Sequence, residues 1–405
     1  MTPLLIQADS RGGIPLADNS VDLVVTSPPY FGLRDYRGDG PLGAEPDPHE
    51  YLAALDVVAA DVNRVCKPEA SQFWNFGDKM SGYSGAKWGH GRNLTGGSDR
   101  GESLVPVVGP RSAPTAYGIP NKSLMGLPWR FAIRRIDAGM ILRAEIVWHK
   151  NAMPESVSDR VRRTHEQFFH LTQTDRYPTA IDEIRVPYMG DTGGERSSYP
   201  SGSASSMNNG QHQTKSDAGL PLHPRGRLPG SVWEINTEPL RVPDYFVQDD
   251  LGWKMMDRAE LARWVEHRTG AGDWSPVEVT EIDHFAAMPQ EWPRRLMVGF
   301  APRGICLECS QGRWPDAYGE FVCPCLADEK NGKSMKIPTR PAVILDPFCG
   351  SGTTPMVAHA LGHQGVGLDL SFDYLRLSRW RCHPSSGQAA KTIERTWGER
   401  QQSLI

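Results

Sequence analysis

Apolar residues arrive in short blocks, each running into a polar turn. Leu4 to Ala8 ends at Asp9, Val21 to Val25 ends just before Ser27-Pro28-Pro29-Tyr30, Ala342 to Leu345 ends at Asp346, and Gly365 to Leu368 ends at Asp369. Blocks of this length, rich in β-branched residues and bounded by turn formers, predict buried strands. Phe73 to Phe76 and Met140 to Trp148 predict two more. Between them the pattern changes period. Leu52, Leu55, Val58, Val62 and Val65 recur at helical spacing over Tyr51 to Val65. Leu127 to Ala138 predicts a helix with Pro128 tolerated in its first turn and Gly139 as its stop, and Thr353 to Leu361 predicts one closed by Gly362. Alternating strands and helices predict an α/β fold around a parallel sheet. Asp257 to Arg268, with Leu261, Trp264 and Val265, predicts a separate amphipathic helix.

Two stretches lack periodicity. Ser81 to Gly118 reads as a surface loop, and the serine-, glycine- and glutamine-rich Gly190 to Arg227 as an adaptable or disordered segment. A hydrophobic content of 39% over 405 residues supports one large domain with insertions. No apolar run reaches membrane-spanning length and no signal peptide is evident, so a cytoplasmic protein is expected. The net charge of -4 gives no global basic signature, so any grip on nucleic acid must be local. Arg130, Arg134, Arg135, Arg143, Lys150, Arg160, Arg162 and Arg163 form the richest basic stretch, and Lys150 with its neighbours is expected to meet phosphates.

Chemistry concentrates in two loops. Ser27-Pro28-Pro29-Tyr30 sets a hydroxyl, a rigid backbone and an aromatic ring in one turn, which suits a flat ring bearing an amino group. Asp346-Pro347-Phe348-Cys349-Gly350-Ser351-Gly352-Thr353-Thr354 is a glycine-rich turn whose backbone can approach a cofactor closely. It lacks the Gly-x-x-x-x-Gly-Lys-Ser/Thr pattern of a phosphate-gripping nucleotidase. Asp369 follows Gly352 by seventeen positions, close to the spacing of a ribose-binding acid in dinucleotide folds.

The pair of loops, in this order, resembles the permuted (beta-class) amino-methyltransferases of DNA, the cytosine-N4/adenine-N6 family. The segments Gly126-Leu127-Pro128-Trp129-Arg130, Ile146-Val147-Trp148-His149-Lys150, Pro154-Glu155-Ser156 and His284-Phe285-Ala286-Ala287-Met288-Pro289 extend the resemblance over most of the chain. It implies a Rossmann-like α/β methyltransferase sheet, circularly permuted, with a target-recognition insertion. In a permuted sheet the strand Leu4 to Ala8 would neighbour the strand ending at Asp369. The resemblance also implies S-adenosylmethionine as cofactor, double-stranded DNA as partner and extrusion of the target base. Ser27, Pro28, Pro29 and Tyr30 would hold the amine. Asp9, His284, Phe285, Pro289, Asp346, Phe348, Gly350, Ser351, Gly352, Thr353 and Asp369 would form the cofactor pocket. Serine at the first position of the amine loop favours cytosine-N4 over the alternative, adenine-N6. A non-catalytic DNA-binding module on the same fold is the rival from another class. A cognate restriction endonuclease is an optional partner.

Residues 1–185 and 336–405 are thus expected to form the two parts of the methyltransferase domain, 186–283 a variable target-recognition region, and 284–304 a segment of the cofactor pocket. Residues 305–335 hold four of the seven cysteines. Cys306, Cys309, Cys323 and Cys325 form two close pairs that predict a small zinc ribbon, the second pair being tighter than the usual spacing. Pro324-Cys325 is not taken as a covalent nucleophile, because Cys325 belongs to that cluster.

Overall fold

The computed structural model describes residues 2–32, 41–81, 118–120, 122–150, 158–188, 223, 225–240, 242–249, 252–271, 277–281, 287–315, 321–322, 338–383, 386–389, 392 and 394. In chain order these form β1 (Leu4–Gln7), β2 (Val21–Thr26), α1 (Pro48–Val65), β3 (Cys66–Phe76), α2 (Leu127–Asp137), β4 (Ile141–His149), β5 (His165–Thr172) and β6 (Val232–Glu234). There follow β7 (Tyr245–Asp249), β8 (Gly252–Met256), α3 (Arg258–Gly270), β9 (Glu278–Glu281), α4 (Glu291–Phe300), β10 (Ile305–Cys306), β11 (Trp314–Pro315) and β12 (Phe321–Val322). The chain closes with β13 (Thr339–Arg340), β14 (Val343–Asp346), α5 (Thr353–Ala360), β15 (Gln364–Asp369) and α6 (Phe372–Cys382).

Eight of the described strands make one sheet in the order β1-β15-β14-β2-β3-β5-β4-β6. The expected adjacency of the amino-terminal strand and the strand ending at Asp369 is present: β1 runs parallel to β15, with Gln7 opposite Asp369. The sheet is not uniformly parallel, however. β5 lies antiparallel to both β3 and β4, so the alternation of strands and helices misled at this end. β4 and β5 follow one another with no described helix between them, as an antiparallel pair can. The antiparallel strand turns its amino-terminal residues toward the edge where the parallel strands present their carboxyl ends.

Alternate residues of the central strands feed two apolar layers, as a strand buried on both faces requires. Val24, Trp74, Phe76 and Phe169 pack with α1 and α2, whereas Leu23, Val25, Phe73 and Phe168 pack with α4 and α5. α1 starts at Pro48 behind Asp47, whose carboxylate accepts from His49 N at 2.7 Å. The helix expected over Asp257 to Arg268 is present as α3, but without the buried apolar face its spacing suggested. None of the residues of α3 is buried, and Val265 is 44% exposed. A capping box holds α3 in register: Glu260 N donates to Asp257 Oδ1 at 2.7 Å and Asp257 N to Glu260 Oε2 at 2.9 Å. α3 accompanies a small antiparallel sheet, β8-β7-β9, outside the main core. Residues 82–117 and most of 190–227 lie outside the described residues. No described helix is long and apolar enough to cross a membrane.

Candidate active site

The parallel strands end on one edge of the sheet, the edge at which open α/β sheets bind ligands. The turns leaving β1, β2, β14 and β15 line one cavity there, of about 320 Å³. It brings together all four residues of the amine loop with Asp9, Asp346, Phe348, Gly350, Ser351, Thr353 and Asp369. Gly352 and Pro289 do not line it. Gly352 has φ +79° and sits so close to α6 that a Cβ there would lie 1.9 Å from Ser378 Oγ. Pro289 is buried just ahead of α4, and its neighbours Ala287 and Met288 face the cavity instead. His284 and Phe285 lie outside the described residues.

The end of the cavity beside the glycine-rich turn is built around three carboxylates. Asp346 is buried at the end of β14, where Thr26 Oγ1 donates to it at 2.7 Å and Phe348 N at 3.1 Å. Burial pushes its carboxyl up to about 6, offset in part by the hydrogen bonds it accepts. Asp369 folds the glycine turn onto itself, accepting from Gly350 N and from Ser371 N, each at 2.8 Å, and burial raises it too. Asp9 is more open. Arg11 binds it through Nε and a terminal nitrogen, the shortest contact being 2.6 Å, and this hydrogen bonding holds the carboxyl below its usual range. From α6, the buried Arg381 donates to Ser351 O at 2.8 Å, Ser351 Oγ at 2.9 Å and Thr353 Oγ1 at 3.0 Å. Cys349 is buried against Gly367, a packing residue whose thiol burial pushes far up.

The amine end is held from three sides. Tyr51 of α1 donates its hydroxyl to Pro29 O at 2.8 Å, fixing the second proline. The ring of Tyr30 lies on Gly77, where a Cβ would come within 2.8 Å of the ring edge. Its phenol donates to Glu166 Oε2 at 2.8 Å, while Asn75 Nδ2 donates to the phenol oxygen at 2.8 Å and to the same carboxylate oxygen at 2.9 Å. Ser27 Oγ donates to the phenol at 3.3 Å. Lys150 also faces this cavity, where it pairs with Glu166 Oε1, a different role from the phosphate contact expected of it. Others of that basic stretch are engaged within the protein too: Arg134 and Arg135 both pair with Asp56, and Arg143 lies over the ring of Tyr177.

Asn75, Glu166 and Gly77 were not legible as site residues. Asn75 and Gly77 sit at the end of β3 and Glu166 at the start of an antiparallel strand that the pattern did not reveal. The cysteine ribbon is only half described. Cys306 is buried in β10 and Cys309 half-buried, while Cys323 and Cys325 lie outside the described residues. Among the described residues no group of three or more His, Cys, Asp or Glu side chains is arranged to hold a metal.

Comparison with known proteins identifies the family. The family model described as DNA methylase, of N6/N4 type, matches residues 21–303 and 338–379, leaving the clustered cysteines between the two matched stretches. The chain is 38% identical to Type II methyltransferase M.XycI of Xanthomonas campestris pv. cyanopsidis, over 93% of this chain and 85% of that one. It is 36% identical to Type II methyltransferase M.Cfr9I of Citrobacter freundii, over 90% and 81%. Among solved structures it resembles the PvuII DNA methyltransferase (cytosine-N4-specific), with 15% identity, a TM-score of 0.48 and coverage of 98% of this chain and 94% of that one. The chain therefore belongs to the N6/N4 DNA methylase family and is a DNA methyltransferase.

Proposed function

We propose that the enzyme transfers a methyl group from S-adenosylmethionine to the exocyclic N4 of a cytosine swung out of double-stranded DNA at a specific sequence. The observation that carries this reading is the single cavity lined by both the amine loop and the glycine-rich turn. Its donor set suits the cofactor. S-adenosylmethionine presents an ammonium, ribose hydroxyls and an adenine amine, and the chain offers Asp346, Asp369 and Asp9 along one wall. A carboxyl that burial holds near 6 is a group that a nearby cation restores to its ionised form. The first turn of α5, at Thr353, provides amide donors for a carboxylate. Bound there, the cofactor supplies an electrophilic methyl carbon on a sulfonium centre.

The chain's own residues then have defined tasks. An aromatic amine is a poor nucleophile because its lone pair is delocalised into the ring. Ser27 Oγ and the Pro28 carbonyl accept its two hydrogens and favour a pyramidal nitrogen aimed at the methyl carbon. The paired prolines fix that carbonyl, and the Tyr51 hydroxyl braces the turn. The Tyr30 ring, seated on Gly77, offers its other side to the extruded base. Positioning for in-line displacement is then most of the catalysis. The serine in the amine loop selects cytosine over adenine in this reading. The pairing of β1 with β15 supports a circularly permuted methyltransferase sheet. Sequence recognition is assigned to residues 191–281, which include β7, β8, β9 and α3. A cognate restriction endonuclease is its natural counterpart.

Zinc at Cys306, Cys309, Cys323 and Cys325 is proposed from their spacing, and Ser310 N, donating to Cys306 O at 3.0 Å, closes a turn that holds the first two thiols. Metal analysis of the purified protein tests it, with one zinc per chain expected. For the reaction, the protein is incubated with S-adenosylmethionine and unmethylated bacterial DNA, which is then digested and resolved by mass spectrometry. N4-methylcytosine is the expected product. N6-methyladenine would overturn the choice of base and keep the chemistry.

A further inference from the structure

Reading Ser27 as an acceptor for the target amine poses a problem of direction. A hydroxyl carries one hydrogen, and if that hydrogen points at the base it competes with the amine it should receive. We infer that Glu166 is the positioning residue that turns the Ser27 hydrogen away from the base, acting through the Tyr30 phenol. The inference rests on the proposed role of Ser27.

The polarity follows from the partners. A carboxylate that pairs with a lysine accepts hydrogen bonds and has none to give, and Glu166 pairs with Lys150 through Oε1. The Tyr30 phenol, 2.8 Å from Glu166 Oε2, must therefore spend its single hydrogen there. Asn75 reinforces this. Its amide nitrogen lies 2.9 Å from the same carboxylate oxygen and 2.8 Å from the phenol, so it donates to both. Its carbonyl oxygen has no hydrogen-bond partner among the described residues, so the amide is oriented here by its donors. With its hydrogen committed, the phenol oxygen can only accept from Ser27 Oγ at 3.3 Å. The Ser27 hydrogen is thus drawn toward Tyr30, and its lone pairs are left for the amino group. The order is Ser27 to Tyr30 to Glu166, each hydroxyl donating to the next, with Lys150 balancing the charge.

Glu166→Gln preserves shape and removes the rule. A glutamine amide can donate to the phenol, which then turns its hydrogen onto Ser27 Oγ and covers the lone pair the amine needs. We expect Glu166→Gln to lower kcat about 10- to 100-fold. The KM for S-adenosylmethionine should stay within about twofold, because that cofactor is held at the other end of the cavity. The decisive comparison is the same substitution in a Ser27→Ala background, where it should cost nothing further. Tyr30→Phe, which keeps the carboxylate and removes the link, should show the same dependence on Ser27. It carries the test if calorimetry finds that Glu166→Gln no longer binds S-adenosylmethionine. An unchanged kcat in Glu166→Gln, or an equal loss in both backgrounds, overturns the inference while leaving the methyltransferase reading intact. Full activity of Ser27→Ala alone would instead overturn the role assigned to Ser27, and this inference with it.

Discussion

Thr26 Oγ1 donates to Asp346 Oδ1 at 2.7 Å, joining the end of the strand that delivers the amine loop to the end of the strand that delivers the glycine-rich turn. Both residues are buried, so the bond is shielded from water. Thr26→Val keeps the shape and leaves a buried carboxyl short of a donor. It is expected to cost about 1.5–3 kcal/mol of folding stability. Urea denaturation of the two proteins measures the difference.

Asp346 also predicts a pH dependence. Its carboxyl is raised from 3.8 to about 6 in the folded chain, so the folded state keeps a proton that the unfolded state has lost. Stability contributed by this group therefore falls as pH rises through that window and stays lower above it. Asp346→Asn removes the penalty. The cofactor-free variant should be more stable than the wild type at pH 7 to 8, by at most on the order of 3 kcal/mol, with the advantage fading toward pH 4. Its affinity for S-adenosylmethionine should drop by at least about tenfold. Thermal melts across pH and calorimetric titration give the two readings.

Gly77→Ala places a methyl group 2.8 Å from the edge of the Tyr30 ring and must push that ring into the cavity. Methylation should slow by at least about tenfold while the melting temperature moves little, since Gly77 lies at the rim of the core. Initial rates with saturating cofactor, beside a melt, separate the two effects.

Arg381→Met leaves Ser351 and Thr353 without the donors that tie the glycine-rich turn to α6. The KM for S-adenosylmethionine should rise about 10- to 100-fold, with a smaller effect on kcat at saturation. Cofactor titration of the rate is the measurement.

The central strands and the two loops were legible because buried parallel strands announce themselves as apolar blocks, and because the chemistry sits at their ends. Val21 to Thr26 and Val343 to Asp346 are of this kind. β5 was not. His165, Gln167, His170 and Thr172 interrupt its apolar residues, and their burial is made tolerable only by partners elsewhere, such as Ser71 Oγ at 3.0 Å from His170 Nε2. Glu166 was hidden with that strand, and with it the network around Tyr30. α3 was legible as a helix from the spacing of Leu261, Trp264 and Val265, but not its exposure: it buries none of its residues. Lys150 looked like a surface cation because its partner Glu166 is distant in sequence and adjacent only through the pairing of β4 with β5.

The pairing of β1 with β15 also orders events during synthesis. Among the described residues Leu4 to Gln7 find their sheet neighbours only in Val366 to Asp369, and Ala8 N donates to Asp369 O at 3.1 Å. The turn bearing Asp9 is made long before β15, and its place in the cavity does not exist until β15 has been added. A chain that stops short of β15 therefore has no assembled site, and competence to mark DNA arrives as a single event rather than by degrees.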